Sequence, residues 1–185
     1  MKKLFNVLFI LYCCFPAEAQ NPFLITGNID HYPAAADEFV GRDHFGGFYF
    51  ISDNTLSRLQ GGKTLDYKNI SKGKIAHVDI QNPLLILVFY QSFNTVILLD
   101  GQLNEVREIN LNQLESPVQA VAAGLASQNR IWLFDALQQQ IIIYDYNQNT
   151  YRSISTPLLG ILQYYQTDFN TFYWINESGN RFSCD

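Results

Sequence analysis

The stretches VILLDGQLNEVREI (residues 96–109) and IIIYDYNQNTYRSI (residues 141–154) superpose without a gap, setting Asp100 on Asp145 at a separation of 45 residues. Each opens on an aliphatic and aromatic run, passes through a polar turn, and returns through a run that mixes charged or polar with apolar residues. Short runs rich in β-branched and aromatic residues, bounded by turn formers, read as strands. Asn in the intervening turn tolerates the left-handed backbone of a tight hairpin. Ahead of the second stretch lie Val118 to Ala122 and Ile131 to Phe134 (IWLF), joined by Gly124 to Asn129, with Asp135 to Gln140 leading into the third run. Four consecutive strands joined by hairpins form a meander.

The same order occurs one copy earlier as Ile75 to Asp79, Leu84 to Tyr90 (LLILVFY), Thr95 to Leu99 and Glu105 to Leu111. Before that, Phe48 to Ser52, Thr55 to Leu59 and Thr64 to Lys68 supply strands two to four of another copy, whose first strand is expected near Phe39. After Val118 to Ile154, Ile161 to Tyr165 and Thr171 to Ile175 open a further copy, with a third strand expected from Arg181. The copies starting at Ile75, Val118 and Ile161 recur every 43 residues. No window shows the 3.6-residue apolar period of a helix free of turn signals. A β-sandwich also uses short strands, but does not require near-identical sets of four.

In this period, with four strands per unit, the chain from about Phe39 onward resembles the blades of a β-propeller. The resemblance is to the architecture in general, for the signature motifs of the WD40, kelch and quinoprotein subfamilies are absent from the sequence. It implies an all-β fold of four-stranded antiparallel blades, three to four of them present, over approximately residues 39–68, 75–111, 118–154 and an incomplete 161–185. Fully apolar second strands fit sheets covered on both faces, whereas EVREINL suits an exposed rim. Propellers close their rings so that no sheet edge stays open. The chain is therefore expected to be an incomplete ring whose remaining blades are missing from this sequence, and to self-associate when made alone. The alternative is a compact ring in which Phe23 to Ile29 (FLITGNI), within the 20–38 segment, supplies a closing strand.

Met1 to Ala19 has the layout of a secretory signal: Lys2 and Lys3, an apolar stretch from Leu4 to Phe15, and Ala17-Glu18-Ala19 before Gln20. The apolar stretch is too short to span a bilayer, and Tyr12 before Cys13 and Cys13 before Cys14 are poor contexts for lipidation. Cleavage leaves 166 residues with net charge −6 and Cys184 as the one cysteine, so residues 20–185 cannot form an internal disulfide. The expected destination is the bacterial periplasm or outer envelope. A mildly acidic chain without a Lys/Arg cluster excludes nucleic acid as the expected partner, and no transmembrane segment is expected in the mature chain.

His31, His44 and His77 fit no metal-ligand spacing. Gly-x-Ser-x-Gly is absent, and Gly46-Gly47 and Gly61-Gly62 lack the Lys-Ser or Lys-Thr of a phosphate loop. No catalytic residue, metal ligand or cofactor is expected from the sequence. One regularity suggests binding. Each second strand ends in a polar residue at the mouth of the same loop: Asp53, Gln91, Asp135 and Asn176. These loops gather on one face of a propeller, with Phe93 and Leu137 as apolar loop-tip contacts. A plainer reading, that Asp and Asn start turns, stays open. The expected function is a non-enzymatic, exported protein-interaction module with a protein partner, an accessory subunit of an outer-membrane assembly or secretion machine. The alternative is a propeller-type hydrolase or a glycan- or small-ligand-binding protein whose Asp53, Asp135 and Glu177 hold calcium, against which stands the high carboxylate demand of such sites.

Overall fold

A computed structural model describes residues 36–185. The secretory signal and the ring-closing candidate Phe23 to Ile29 lie outside the described residues. Four antiparallel sheets are arranged as the blades of a propeller. Blade 1 is β1 (Glu38–Arg42), β2 (Phe48–Ser52), β3 (Thr55–Gln60) and β4 (Lys63–Tyr67); blade 2 is β5 (His77–Asp79), β6 (Leu85–Tyr90), β7 (Thr95–Asp100) and β8 (Glu105–Asn110). Blade 3 is β9 (Ala120–Ala126), β10 (Arg130–Asp135), β11 (Gln140–Asp145) and β12 (Thr150–Ser153). Blade 4 is β13 (Leu162–Thr167), β14 (Phe172–Asn176) and β15 (Arg181–Cys184), three strands among the described residues. Each sheet is a meander in sequence order. The only helical elements among the described residues are one-turn 3₁₀ segments at Ile70–Lys72, Gln91–Phe93 and Leu111–Gln113.

The apolar second strand of blade 2 has two interiors to fill. Successive side chains on a strand point to opposite faces. Ile86, Val88 and Tyr90 accordingly pack against Tyr49, Ile51 and Leu56 of blade 1. Leu87 and Phe89 join Leu125, Ile131 and Leu133 of blade 3. The outer strand β8 is mostly exposed, as its alternation requires.

The first strands of blades 2, 3 and 4 begin at His77, Ala120 and Leu162, one or two residues later than the sequence reading, and the larger difference is at the end of the first strand of blade 3. The first strand of blade 3 runs through Gly124 to Ala126 rather than turning at Gly124. Thr167 of β13 lies directly against Gly124 and leaves no room for a Cβ there. The glycine marks a close approach of two sheets, not a turn.

Two asparagines join the blades at their loops. Asn54 and Asn94 occupy the loop between the second and third strands of their blades, both in the left-handed region with φ of 57° and 49°. Asn54 Nδ2 donates to Gly73 O (2.8 Å) and its Oδ1 accepts from Ile75 N (2.7 Å). Asn94 Nδ2 donates to Val118 O (2.6 Å) and its Oδ1 accepts from Ala120 N (3.0 Å). Each amide therefore holds residues i and i+2 of the segment entering the next blade, as a neighbouring strand would. At the Asn94 junction, where Val118 and Ala120 are buried, both groups would otherwise lack a partner away from water, a loss of about 1–3 kcal/mol each.

Asn94→Ala is expected to lower stability by about 2–4 kcal/mol, read as a fall in the urea midpoint with m unchanged. Asn94→Gly, which keeps the left-handed backbone, should remain destabilised; wild-type stability in that variant would mean the amide contributes nothing. Trp132, 3% exposed between Phe172 and the blade 3 core, donates its indole N–H to Asp168 O (2.8 Å). Trp132→Ala is expected to cost about 3–5 kcal/mol, and an unchanged urea midpoint would contradict this packing.

Candidate functional site

Strand alternation puts the loops after each second strand, together with the links between blades, at one end of the propeller. This end carries all six residues singled out by sequence. Asp53 is exposed and pairs with Lys68 (2.8 Å), whose hydrogen bond and charge hold the Asp53 carboxyl below the usual carboxylate range. Gln91 is exposed and opens a 3₁₀ turn in which its carbonyl accepts from Asn94 N. Asp135 is 2% exposed, and its Oδ1 accepts from Gln119 N and Leu137 N. Asn176 Oδ1 accepts from Ser178 N and Asn180 N. Asp135 and Asn176 thus direct their side chains into turns and links. Glu177 accepts from Ile161 N. Among the described residues no group of three His, Cys, Asp or Glu side chains could hold a metal ion, so Asp53, Asp135 and Glu177 are not brought together as a calcium set.

The loop tips differ in character. Phe93 and Leu137 are exposed, and so are Ile70, Leu159 and Ile161 on the links at the same end. Leu159 is 94% exposed. The Phe93 ring lies over Gly73 of the first link, and Leu158 N donates to Gln139 O across the third loop, so loops and links form one continuous surface. Sequence patterning points to Phe93 and Leu137 but not to Ile70 and Leu159, which lie in no strand; Ile161 reads there as the first residue of a strand, which the structure begins at Leu162.

Along the first strands, from His77 near the link end to Arg42 and His44 at the opposite end, a cleft of about 750 Å³ opens where β1, β5 and β13 face one another. Its lining includes Arg42, His44, His77, Gln81, Tyr164 and Tyr165. Two carboxylates in its wall are saturated. Asp79, 5% exposed, accepts from Gln81 N, Gln81 Nε2 and Leu125 N at 2.7–2.9 Å, tying blade 2 to blade 3. Asp43 accepts from Phe45 N, Gly47 N and Tyr49 Oη, and pairs with Arg58 (3.0 Å), which also donates to Gly101 O of blade 2. Burial raises the Asp43 pKa, but the bonds from Gly47 and Tyr49 and the Arg58 charge outweigh it and hold the carboxyl below its ordinary value. The His77 imidazole lies 5.1 Å from the Tyr165 ring, and burial lowers its pKa against the opposing pull of Asp79 and Glu38. In the sequence His77 has no ligand partner at metal-site spacing; its neighbours in space come from β1 and β13.

No protein-family model matches the chain, and no curated protein matches it in sequence. Its likenesses are to solved structures. The fold is that of a β-propeller. A streptogramin B lyase aligns with TM-score 0.53 at 16% identity, over 78% of this chain and 53% of the lyase. Virginiamycin B lyase from Staphylococcus aureus aligns with TM-score 0.52 at 10% identity, over 79% of this chain and 54% of that one. YCF48 bound to D1 peptide aligns with TM-score 0.55 at 10% identity, over 77% and 48%. The chain spans about half the length of these structures. At such identities the likeness is one of fold, and propellers host unrelated activities.

The Asp43–Arg58 pair makes stability depend on pH. Its contribution is present above the unfolded carboxylate range, near pH 4, and is lost as pH falls through the lower folded value. Asp43→Asn should lower stability at neutral pH by about 3–5 kcal/mol, because it leaves Arg58 buried without its counter-charge. It should also flatten the decline of stability below pH 4. An acid limb as steep as that of the unaltered protein would show that another carboxylate carries it.

Proposed function

We propose that this chain is an exported β-propeller that serves as a non-enzymatic protein-interaction module in the bacterial periplasm or outer envelope, as an accessory subunit of an outer-membrane assembly or secretion machine. The observation that carries this reading is the loop end, where Ile70, Phe93, Leu137, Leu159 and Ile161 stand exposed on a surface held from beneath by buried Asn94 and Asp135. Apolar side chains grouped on one rigid face mark interaction sites, and few large anchors supply most of the energy of an interface. The YCF48 structure with a bound peptide gives a propeller of similar fold in a recognition role. Export rests on Lys2, Lys3, the apolar stretch from Leu4 to Phe15 and Ala17-Glu18-Ala19. No helix among the described residues is long and apolar enough to cross a membrane.

The test uses tagged protein expressed in a bacterial envelope. The recovered chain is expected to begin at Gln20 and to co-purify a partner. Phe93→Asp with Leu137→Asp should abolish that capture, while Phe45→Asp with Leu84→Asp, exposed at the opposite end, should leave it intact. Recovery of the chain from the cytoplasm with Leu4 to Phe15 attached would refute export. Equal capture by both double variants would refute the loop end as the binding face.

A further inference from the structure

We propose that a second copy of this chain is the partner of its two outward sheet faces: the outer face of blade 4 in one copy seats on the outer face of blade 1 in the other, and the two chains close one ring. Three cores among the described residues join blade 1 to 2, blade 2 to 3 and blade 3 to 4. None of them joins blade 4 back to blade 1. The chain aligns over about half the length of the propellers of similar fold, so its blades describe about half of such an array. A contact that joins unlike faces head to tail closes after two copies when each copy supplies half the turn.

Strand alternation assigns the faces. In β14, Phe172 and Trp174 enter the core shared with blade 3, so Tyr173 and Ile175 point away from it, with Tyr164 and Arg181 level with Ile175. In β2, Tyr49 and Ile51 enter the core shared with blade 2, so Phe48 and Phe50 point away, with Phe39 and Ser57 on either side of Phe50. The two strands are near copies, FYFIS (48–52) and FYWIN (172–176). Tyr173 and Ile175 therefore repeat Tyr49 and Ile51, which are 0% and 8% exposed against blade 2, and Phe48 and Phe50 repeat Phe172 and Trp174, which pack on blade 3. Each outward face thus copies a face that the same chain covers with a neighbouring blade. Tyr164 and Phe39 are nevertheless 59% and 65% exposed, and a hollow of about 890 Å³ lies over the blade 4 face. The departures from the copies are complementary. Inside the chain, Leu56 opposite Ile51 shares a core with Ile97 opposite Val88. The corresponding outward positions are Arg181, opposite Ile175, and Ser57, opposite Phe50 and bonded to Asp66 (2.6 Å). Arg181 and Asp66 are both exposed, so an apolar pair within the chain is replaced by opposite charges between chains. Such a pair fixes which faces meet.

The test measures the mass of the purified full chain by sedimentation velocity and native mass spectrometry. A dimer with a dissociation constant below about 10 μM is expected, with no larger species at higher concentration. Arg181→Glu and Asp66→Lys, both at exposed positions, should each weaken the dimer about tenfold or more with an unchanged circular dichroism spectrum and urea midpoint. An equimolar mixture of the two variants should regain the affinity of the unaltered chain, because both contacts of the mixed dimer then again have opposite charges. Pairing of like faces would show no such rescue. Tyr173→Asp should give a folded monomer, whereas Phe93→Asp with Leu137→Asp, at the loop end, should leave the dimer intact. A monomer at about 100 μM, an open series of larger species, or no rescue in the mixture would overturn the closed two-copy ring. So would loss of the dimer in the loop-end variant, or a one-to-one complex with another protein that Arg181→Glu disrupts.

Discussion

The arrangement of the blades depends on a polar contact more than on any apolar one. Where the chain leaves one sheet and enters the next, its backbone has no strand on one side, and a buried N–H or C=O without a partner is costly. The primary amides of Asn54 and Asn94 stand in for that strand, each with one donor and one acceptor facing residues i and i+2 of the incoming link. Asparagine suits the place for two reasons at once. It tolerates the left-handed backbone of the loop, and its side chain has the same donor and acceptor pair as a peptide group. The amide fixes where β5 and β9 begin, and the apolar faces of β6 and β10 then meet their neighbours in register. Hydrophobic area supplies most of the stabilisation, but it is non-directional and does not set that angle.

Much of this is legible in the sequence because the signals are local. The gapless superposition of Asp100 on Asp145 reflects a shared turn, for both carboxylates accept backbone N–H groups two to four residues ahead. LLILVFY has the composition of a strand with two interiors, and its alternate residues do enter two different cores. Gly124 reads wrongly as a turn because a glycine in a strand and a glycine in a turn look alike until Thr167 is placed against it. The positions at the ends of the second strands share one end of the blades but not one place in the ladder, for Asp135 pairs with Gln140 whereas Asp53 and Gln91 follow the last pairs, Ser52 with Thr55 and Tyr90 with Thr95. Their partners, Gln119 for Asp135 and Lys68 for Asp53, are 15–16 residues away and follow no period.

The two ends of the scaffold are built from different contacts. At the loop end, polar side chains turn inward to bind the backbone, which leaves apolar tips facing solvent. At the cleft, Asp43 and Asp79 turn inward in the same way, but their neighbours are cations and imidazoles. The contrast has no signature in the sequence, because Asp43, Arg58 and Gly101 come from three hairpins in two blades.

The asparagine amide is not repeated throughout. The matching loops in blades 3 and 4 carry Gln139 and Gly179, both at positive φ, and the link into blade 4 is held there by a main-chain bond from Leu158 N to Gln139 O. Blade 4 instead leans on blade 3 through the Trp132 indole, the Ser127 to Phe169 main-chain bond and the contact at Gly124. In a one-dimensional array each junction has its own opening free energy. Blade 4 is therefore joined by another kind of contact, to which Tyr165 Oη at Ala123 and Thr167 at Asp79 also belong, and its junction is expected to open independently of the two held by asparagine amides.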